Sequence, residues 1–211
     1  MPVTVGESLP ASRAPEHPEA MTDSVADQKS MTVPLVAFAA GAAVALALGV
    51  FGRVHDPTTD GTTTLGYNTV LDMKVVLTAA LGVLAVLQVF GALWIYGKLG
   101  IRAPSWLGRA HRASGVLTFL LAVFIGYHCL WALGLEYGEL HNGEPVPARA
   151  VVHGVLGCVV FGAFVVKVVA VRSHRAPSWF LPIAGGILFT AFVVVVGTST
   201  IWYLGENGWP E

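Results

Sequence analysis

Seven histidines are spread along the chain, and three of them stand where a histidine is costly. His128 and His153 lie inside long apolar runs, and His111 sits at the mouth of the run that holds His128. An ionisable side chain in hydrocarbon is expensive, and it normally marks a function with a nameable partner. His128 comes eight residues before Glu136, and His153 follows Arg149 by four. At about 1.5 Å per residue, the two lie roughly 12 Å and 6 Å inside those charged landmarks. Two imidazoles at similar depth on antiparallel neighbours suit the axial positions of a six-coordinate haem iron, each giving one ring nitrogen.

A flat macrocycle also needs room beside its ligands. His111 is followed at i+4 by Gly115, His128 by Ala132 and His153 by Gly157. The i+4 residue shares a helical face, so each histidine has a small neighbour. Small residues serve plain helix contact in lipid as well. The expected metal ligands are therefore His128 and His153, with Gly157 and Ala132 beside the cofactor. Two other readings stay open: hydrogen-bonded packing, with Ser199 and Thr200 as partners, and a proton or ion pathway.

His111 is 17 residues from His128, roughly 25 Å along the axis and about 100° around it. It belongs to the opposite face of the membrane, where it is expected to form a docking or proton-exchange site with Arg109 and Arg112; the other reading makes it a cofactor-binding residue for a second haem, with His174 as the further ligand. Lys167 either snorkels to the headgroups or meets a cofactor propionate or anionic substrate. Cys129 and Cys158 read as small apolar fillers. His17 falls in the N-terminal tail. His55 and His141 read as solvated loop residues, and His174 as part of a basic loop.

The elements that must position these residues follow from composition. The 211-residue chain is 55% hydrophobic and 12% charged, with net charge −1 and mean hydropathy +0.68. Soluble domains carry roughly 25% charged residues. That argues against a soluble enzyme, and the missing basic excess argues against nucleic acid. Two cysteines in apolar runs supply neither a disulfide framework nor a zinc cluster.

A spanning helix needs about 20 mostly apolar residues. Five stretches qualify, at about 32–52, 72–98, 108–135, 150–172 and 177–205, and none alternates as a barrel strand would. The fold class is all-α: a polytopic membrane protein with a four-helix core of helices 2–5 and a peripheral first helix. Residues 1–31 read as a disordered cytoplasmic tail, the first span as an uncleaved anchor, and 206–211 as a short external C-terminus. Eight Lys and Arg residues (13, 29, 98, 102, 109, 112, 172, 175) fall on one side and three (Arg53, Lys74, Arg149) on the other. The positive-inside rule then puts the N-terminus in the cytoplasm and the C-terminus outside, in a plasma membrane. An internal repeat agrees: Arg102-Ala-Pro-Ser-Trp106 recurs as Arg175-Ala-Pro-Ser-Trp179, each opening a helix. Helices 2–3 and 4–5 thus read as two parallel hairpins.

The run Leu107-Gly-Arg-Ala-His111-Arg-Ala-Ser-Gly115, continuing to Tyr127-His128-Cys129, resembles the helix of ferric-reductase-like and related transmembrane cytochromes b. The likeness covers helices 3 and 4, under one third of the chain. It implies haem b and transmembrane electron transfer, with His128 and His153 as axial ligands. The gap of 16 residues between the helix-3 histidines is wider than the family pattern, and helix 4 has a single deep histidine. One haem is therefore implied. No flavin or nicotinamide domain follows the last span, so an electron-transfer subunit is expected in place of a complete reductase, served by a separate redox partner or a quinol. The bilayer is the other expected partner, and self-association is open. The chain also resembles poorly characterised actinobacterial membrane proteins grouped as a domain of unknown function. The alternative class is a cofactor-free module, a transporter subunit or assembly factor, with structural or proton-carrying histidines.

Overall fold

The computed structural model describes residues 19–135, 144–173 and 175–210, with side chains from residue 31 onward. Arg13, His17, Glu136, Glu139, His141, His174 and Glu211 lie outside the described residues, as does the side chain of Lys29. The elements run α1 (Glu19–Val54), α2 (Val70–Ile95), α3 (Leu107–His128), a π-helical turn (Cys129–Leu133), α4 (Ala148–Arg172), α5 (Phe180–Val196), a second π-helical turn (Gly197–Ile201) and α6 (Trp202–Asn207). Five of the resulting helices, Met31–Val54, Val70–Ile95, Leu107–Leu133, Ala148–Arg172 and Phe180–Asn207, are long and apolar enough to cross a membrane. Exposed Leu46, Val83, Leu120 and Ile201 show that apolar side chains face outward, as contact with lipid requires. α1 reaches back to Glu19, so residues 19–31, assigned from composition to the tail, are helical.

Local chemistry explains the helix starts. Thr69 caps α2: its Oγ1 accepts from the Asp72 amide at 3.0 Å and donates to Asp72 Oδ2 at 2.7 Å. The repeated Ala-Pro-Ser-Trp opens α3 and α5 in the same way. Trp106 and Trp179 stand at the two N-caps, and Pro104 O and Pro177 O accept from the Leu107 and Phe180 amides at 3.1 and 3.0 Å. Pro147 precedes α4 and Pro182 lies in the first turn of α5, where a missing amide costs nothing. Loops with Lys98, Arg102, Arg172 and Arg175 share one end of the bundle, the basic end. The α1–α2 loop and the start of α4 share the other, the acidic end.

Packing adds two features to the four-helix core of α2, α3, α4 and α5. α1 does not merely skirt that core but docks closely on α4. A Cβ placed on Gly41 would lie 2.6 Å from Gly162 O, and one on Gly162 would lie 2.5 Å from Gly41 O. Without a hydrophobic drive between helices in lipid, such close approach of small residues supplies the packing energy. Ala37, Val166, Ala170, Phe180 and Ala184 continue this contact toward the basic end. Nor do α3 and α4 face each other closely, although a loop joins them. Long aromatic spacers hold them apart: Phe119 stacks on Phe164 at 4.1 Å, and Phe161 lies against Gly126. α3 instead packs on α2, and α4 on α1 and α5. The interior between the pairs stays open.

Candidate functional site: two adjoining cavities

Two cavities occupy that interior, of about 490 Å³ at the acidic end and about 500 Å³ at the basic end. Leu81, Ala122, Val160, Phe161 and Phe192 belong to both walls, so the cavities adjoin. Each is of the size that holds a small molecule or cofactor, about 300–1,000 Å³.

The acidic-end cavity gathers Lys74 and Thr78 of α2, Cys129 of the first π turn, Arg149, His153, Gly157 and Cys158 of α4, and Ser199 and Thr200 of the second π turn. Single π turns inside helices recur at functional sites, and here both lie on this cavity. His153 Nδ1 stands 3.2 Å from Val195 O and 3.3 Å from Thr198 Oγ1. A carbonyl only accepts, so Nδ1 carries the proton and Nε2 keeps its lone pair. Thr198 spends its own proton on Val194 O at 2.7 Å, leaving its oxygen free to accept. Among the described residues Nε2 has no hydrogen-bond partner. An imidazole oriented through one nitrogen by a backbone carbonyl, with the other bare, has the posture of a metal ligand.

The surrounding charge is positive. Lys74 is 7% exposed and has no hydrogen bond or ion pair among the described residues. The nearest acid in sequence, Asp72, is committed to Thr69 and to the Tyr203 hydroxyl, which donates to it at 2.5 Å. Arg149 donates to Thr198 O at 2.7 Å and lies 3.5 Å over the Trp202 ring. Thr78 Oγ1 and Thr200 Oγ1 are buried without partners among the described residues. A lone pair, an unpaired ammonium and two idle hydroxyls around an otherwise apolar space fit a largely apolar ligand bearing carboxylates and a metal. Among the described residues no group of three or more His, Cys, Asp and Glu side chains gathers as an all-protein metal site would require.

His128 is placed differently. It is 2% exposed and does not line the cavity. Its Nδ1 donates to Phe124 O at 2.8 Å, and its Nε2 accepts from the Thr63 amide at 3.2 Å. Nδ1 thus anchors the ring to its own helix, and Nε2 holds the α1–α2 loop to α3. Aromatic contacts reinforce that clamp: His55 stacks on Phe51 at 4.9 Å and on Trp131 at 4.4 Å, and Trp131 Nε1 donates to Asp60 O at 2.7 Å. His55, expected to be a solvated loop residue, is a structural one. Ala132 is drawn into the π turn and does not line the cavity, whereas no atom of a neighbouring element lies within 4 Å of a Cβ placed on Gly157.

The basic-end cavity holds His111 and Lys167, with Gln88, Gly115 and Thr118. Neither His111 nitrogen has a hydrogen-bond partner among the described residues. Nδ1 is buried against Gly91, where an added Cβ would come within 3.1 Å. Gly115 does not leave open room; Gln88 Oε1 would stand 3.3 Å from its Cβ, and Gln88 Nε2 donates to Ser114 Oγ at 2.6 Å. Arg109 and Arg112 are exposed and do not line this cavity, so the three residues expected to form one docking site do not meet.

Lys74, Thr78 and Gln88 were not singled out by sequence reasoning as site residues, and Arg149 served there only as a charged landmark. Their signal was periodic. Lys74, Thr78, Leu81, Ala85 and Gln88 recur at helical spacing on α2, as do Arg149, His153, Val160, Phe164 and Lys167 on α4, and all line the interior.

Fold and site together define a multi-pass, five-helix membrane protein whose four-helix interior is open and lined by ionisable side chains. The chain belongs to DUF6529, a family of unknown function whose model matches residues 31–211. No match appears among curated proteins or among solved structures.

Proposed function

We propose that the protein binds haem b in the acidic-end cavity and serves in electron transfer within or across the plasma membrane, its N-terminus cytoplasmic and its C-terminus outside. The observation that carries this reading is His153, oriented through Nδ1 and bare at Nε2 in a cavity of about 490 Å³. In this reading His153 Nε2 holds the iron, and Gly157 leaves room beside it. Lys74, with Thr78 and Thr200, meets the propionates. His128 is the proposed second ligand, and to serve as one its Nε2 must release the Thr63 amide. Bound haem supplies one-electron chemistry; the chain supplies the ligand, the dry walls and the positive edge. A separate redox partner or a quinol exchanges the electrons.

A second reading has one observation in its favour. Both nitrogens of His128 are satisfied by backbone groups, as in a purely structural histidine. In that reading the bundle is a cofactor-free transporter subunit or assembly factor.

The visible spectrum separates them. Protein purified in detergent from cells supplied with haem should show a Soret band and dithionite-sensitive bands. His153→Ala should abolish them, and His55→Ala should not. His128→Ala should convert a six-coordinate spectrum to a five-coordinate one. A colourless, well-folded preparation refutes the haem reading; an unchanged spectrum in His128→Ala assigns that residue to structure alone.

A further inference from the structure

The basic-end cavity has a chemistry of its own. An ionisable ring inside a spanning helix normally has a partner, yet His111 has none on either nitrogen among the described residues, and Nδ1 is wholly buried. Lys167 lines the same space, again with no hydrogen bond or ion pair among the described residues. Two such groups offer one neutral donor or acceptor and one cationic donor. The remaining wall is apolar and rich in flat rings, with Phe119 stacked on Phe164, and Phe161 and Phe189 beside them. On α5, Cβ atoms added at Gly185 and Gly186 would touch nothing within 4 Å, so that side of the cavity is open.

A ligand for this site must be flat and mostly apolar, must carry oxygens that accept hydrogen bonds, and must arrive through the bilayer. A free fatty acid would use Lys167 and leave the ring-lined wall and His111 without purpose. A quinone headgroup uses all of them: an aromatic-sized ring against the phenylalanine-lined wall and carbonyl oxygens for the imidazole and the ammonium. We propose that the basic-end cavity is a binding site for the headgroup of a membrane quinone, with His111 and Lys167 as its hydrogen-bonding residues. The site names the redox partner left general in the haem reading and rests on that reading for its role, but binding itself needs no haem. The shared wall of Phe161 and Phe192 puts the headgroup next to the acidic-end cavity.

The test uses full-length protein in quinone-free nanodiscs, titrated with decylubiquinone and, separately, with menadione, and read by tryptophan fluorescence quenching. Saturable binding is expected. His111→Ala and Lys167→Met should each weaken it tenfold or more, and Gly185→Phe should block it by filling the open side. Gly49→Leu, outside both cavities, should leave it unchanged. Thermal unfolding of each variant checks the fold, and His111→Gln, which keeps a donor near the same position, should recover part of the affinity. Wild-type affinity in folded His111→Ala and Lys167→Met overturns the proposal. So does an absence of saturable binding, or a second equivalent of haem that His111→Ala removes. Colourless protein that binds quinone through His111 refutes the haem reading alone. A haem protein without saturable quinone binding refutes only this one.

Discussion

Replacing Lys74 by methionine should make the ligand-free protein more stable and its cofactor affinity lower. The side chain is 7% exposed in a spanning helix and has no hydrogen bond or ion pair among the described residues. Insertion scales place a lysine at the centre of a spanning helix about 2.5–3.5 kcal/mol uphill. Lys74 is the fifth residue of α2, roughly 6 Å from the helix start. A cost near half of the central value applies, about 1–2 kcal/mol. Methionine keeps the apolar stem and drops the charge, so Lys74→Met should recover that amount. The ligand-bound form should respond oppositely. A hydrogen bond to a charged group contributes about 1.5–3 kcal/mol, equivalent to roughly 10- to 150-fold in affinity. The assays are unfolding in mixed micelles followed by tryptophan fluorescence, and haem titration followed at the Soret band. A lysine that merely anchors α2 would give the reverse stability change. Loss of stability in Lys74→Met with haem affinity unaltered would refute the reasoning.

Three further outcomes follow from the packing. Gly41→Leu or Gly162→Leu must force apart two backbones whose added Cβ would come within 2.6 Å or less of a carbonyl oxygen; overpacking of this kind costs about 1–3 kcal/mol, and unfolding midpoints should fall while Gly49→Leu, with nothing within 4 Å, stays near wild type. Trp131→Ala removes ring contacts to His55 and Tyr127, at about 0.5–1.5 kcal/mol per pair; hydrogen exchange at the Thr63 amide should accelerate, and unchanged exchange would show that the stack does not hold the loop. Gly157→Leu fills open space beside His153, so it should lower haem uptake with little change in unfolding; uptake equal to wild type would place the cofactor elsewhere.

Legibility in the sequence followed the physics of each feature. The five spans were readable because the hydrocarbon core imposes a length and excludes charge, and the repeated Arg-Ala-Pro-Ser-Trp marked the openings of two helices, which start at Leu107 and Phe180 against expected bounds of about 108 and 177. Depth along the helix was also readable, since rise per residue is fixed. Rotation about the axis was harder. Residue counting puts His128 and His153 at similar depth, but His128 lies about 100° around α3 from His111, whose face lines the interior. That turn points His128 at the α1–α2 loop and Thr63. The aromatic clamp around His55 was not readable at all, because it depends on a loop folding back across Trp131 at a separation of 76 residues.

The arrangement of α4 explains why the interior stays open. Gly162, Val166 and Ala170 form the narrow face that receives α1. His153 is nine residues from Gly162, hence about 180° around the helix, and Lys167 is about 140° from it. One face is spent on close small-residue contact, and the opposite face carries the ionisable groups inward. A bundle selected only for anchoring would close on itself through small residues on every face. Here Phe119 and Phe164 prop α3 away from α4, and the gap they keep contains His111, Lys167, His153 and Lys74. Buried ionisable groups destabilise an empty bundle, whereas a bound ligand would give each of them a partner. The docking of α1 on α4 is thus part of the site: by fixing the small face outward, it fixes His153 and Lys167 inward.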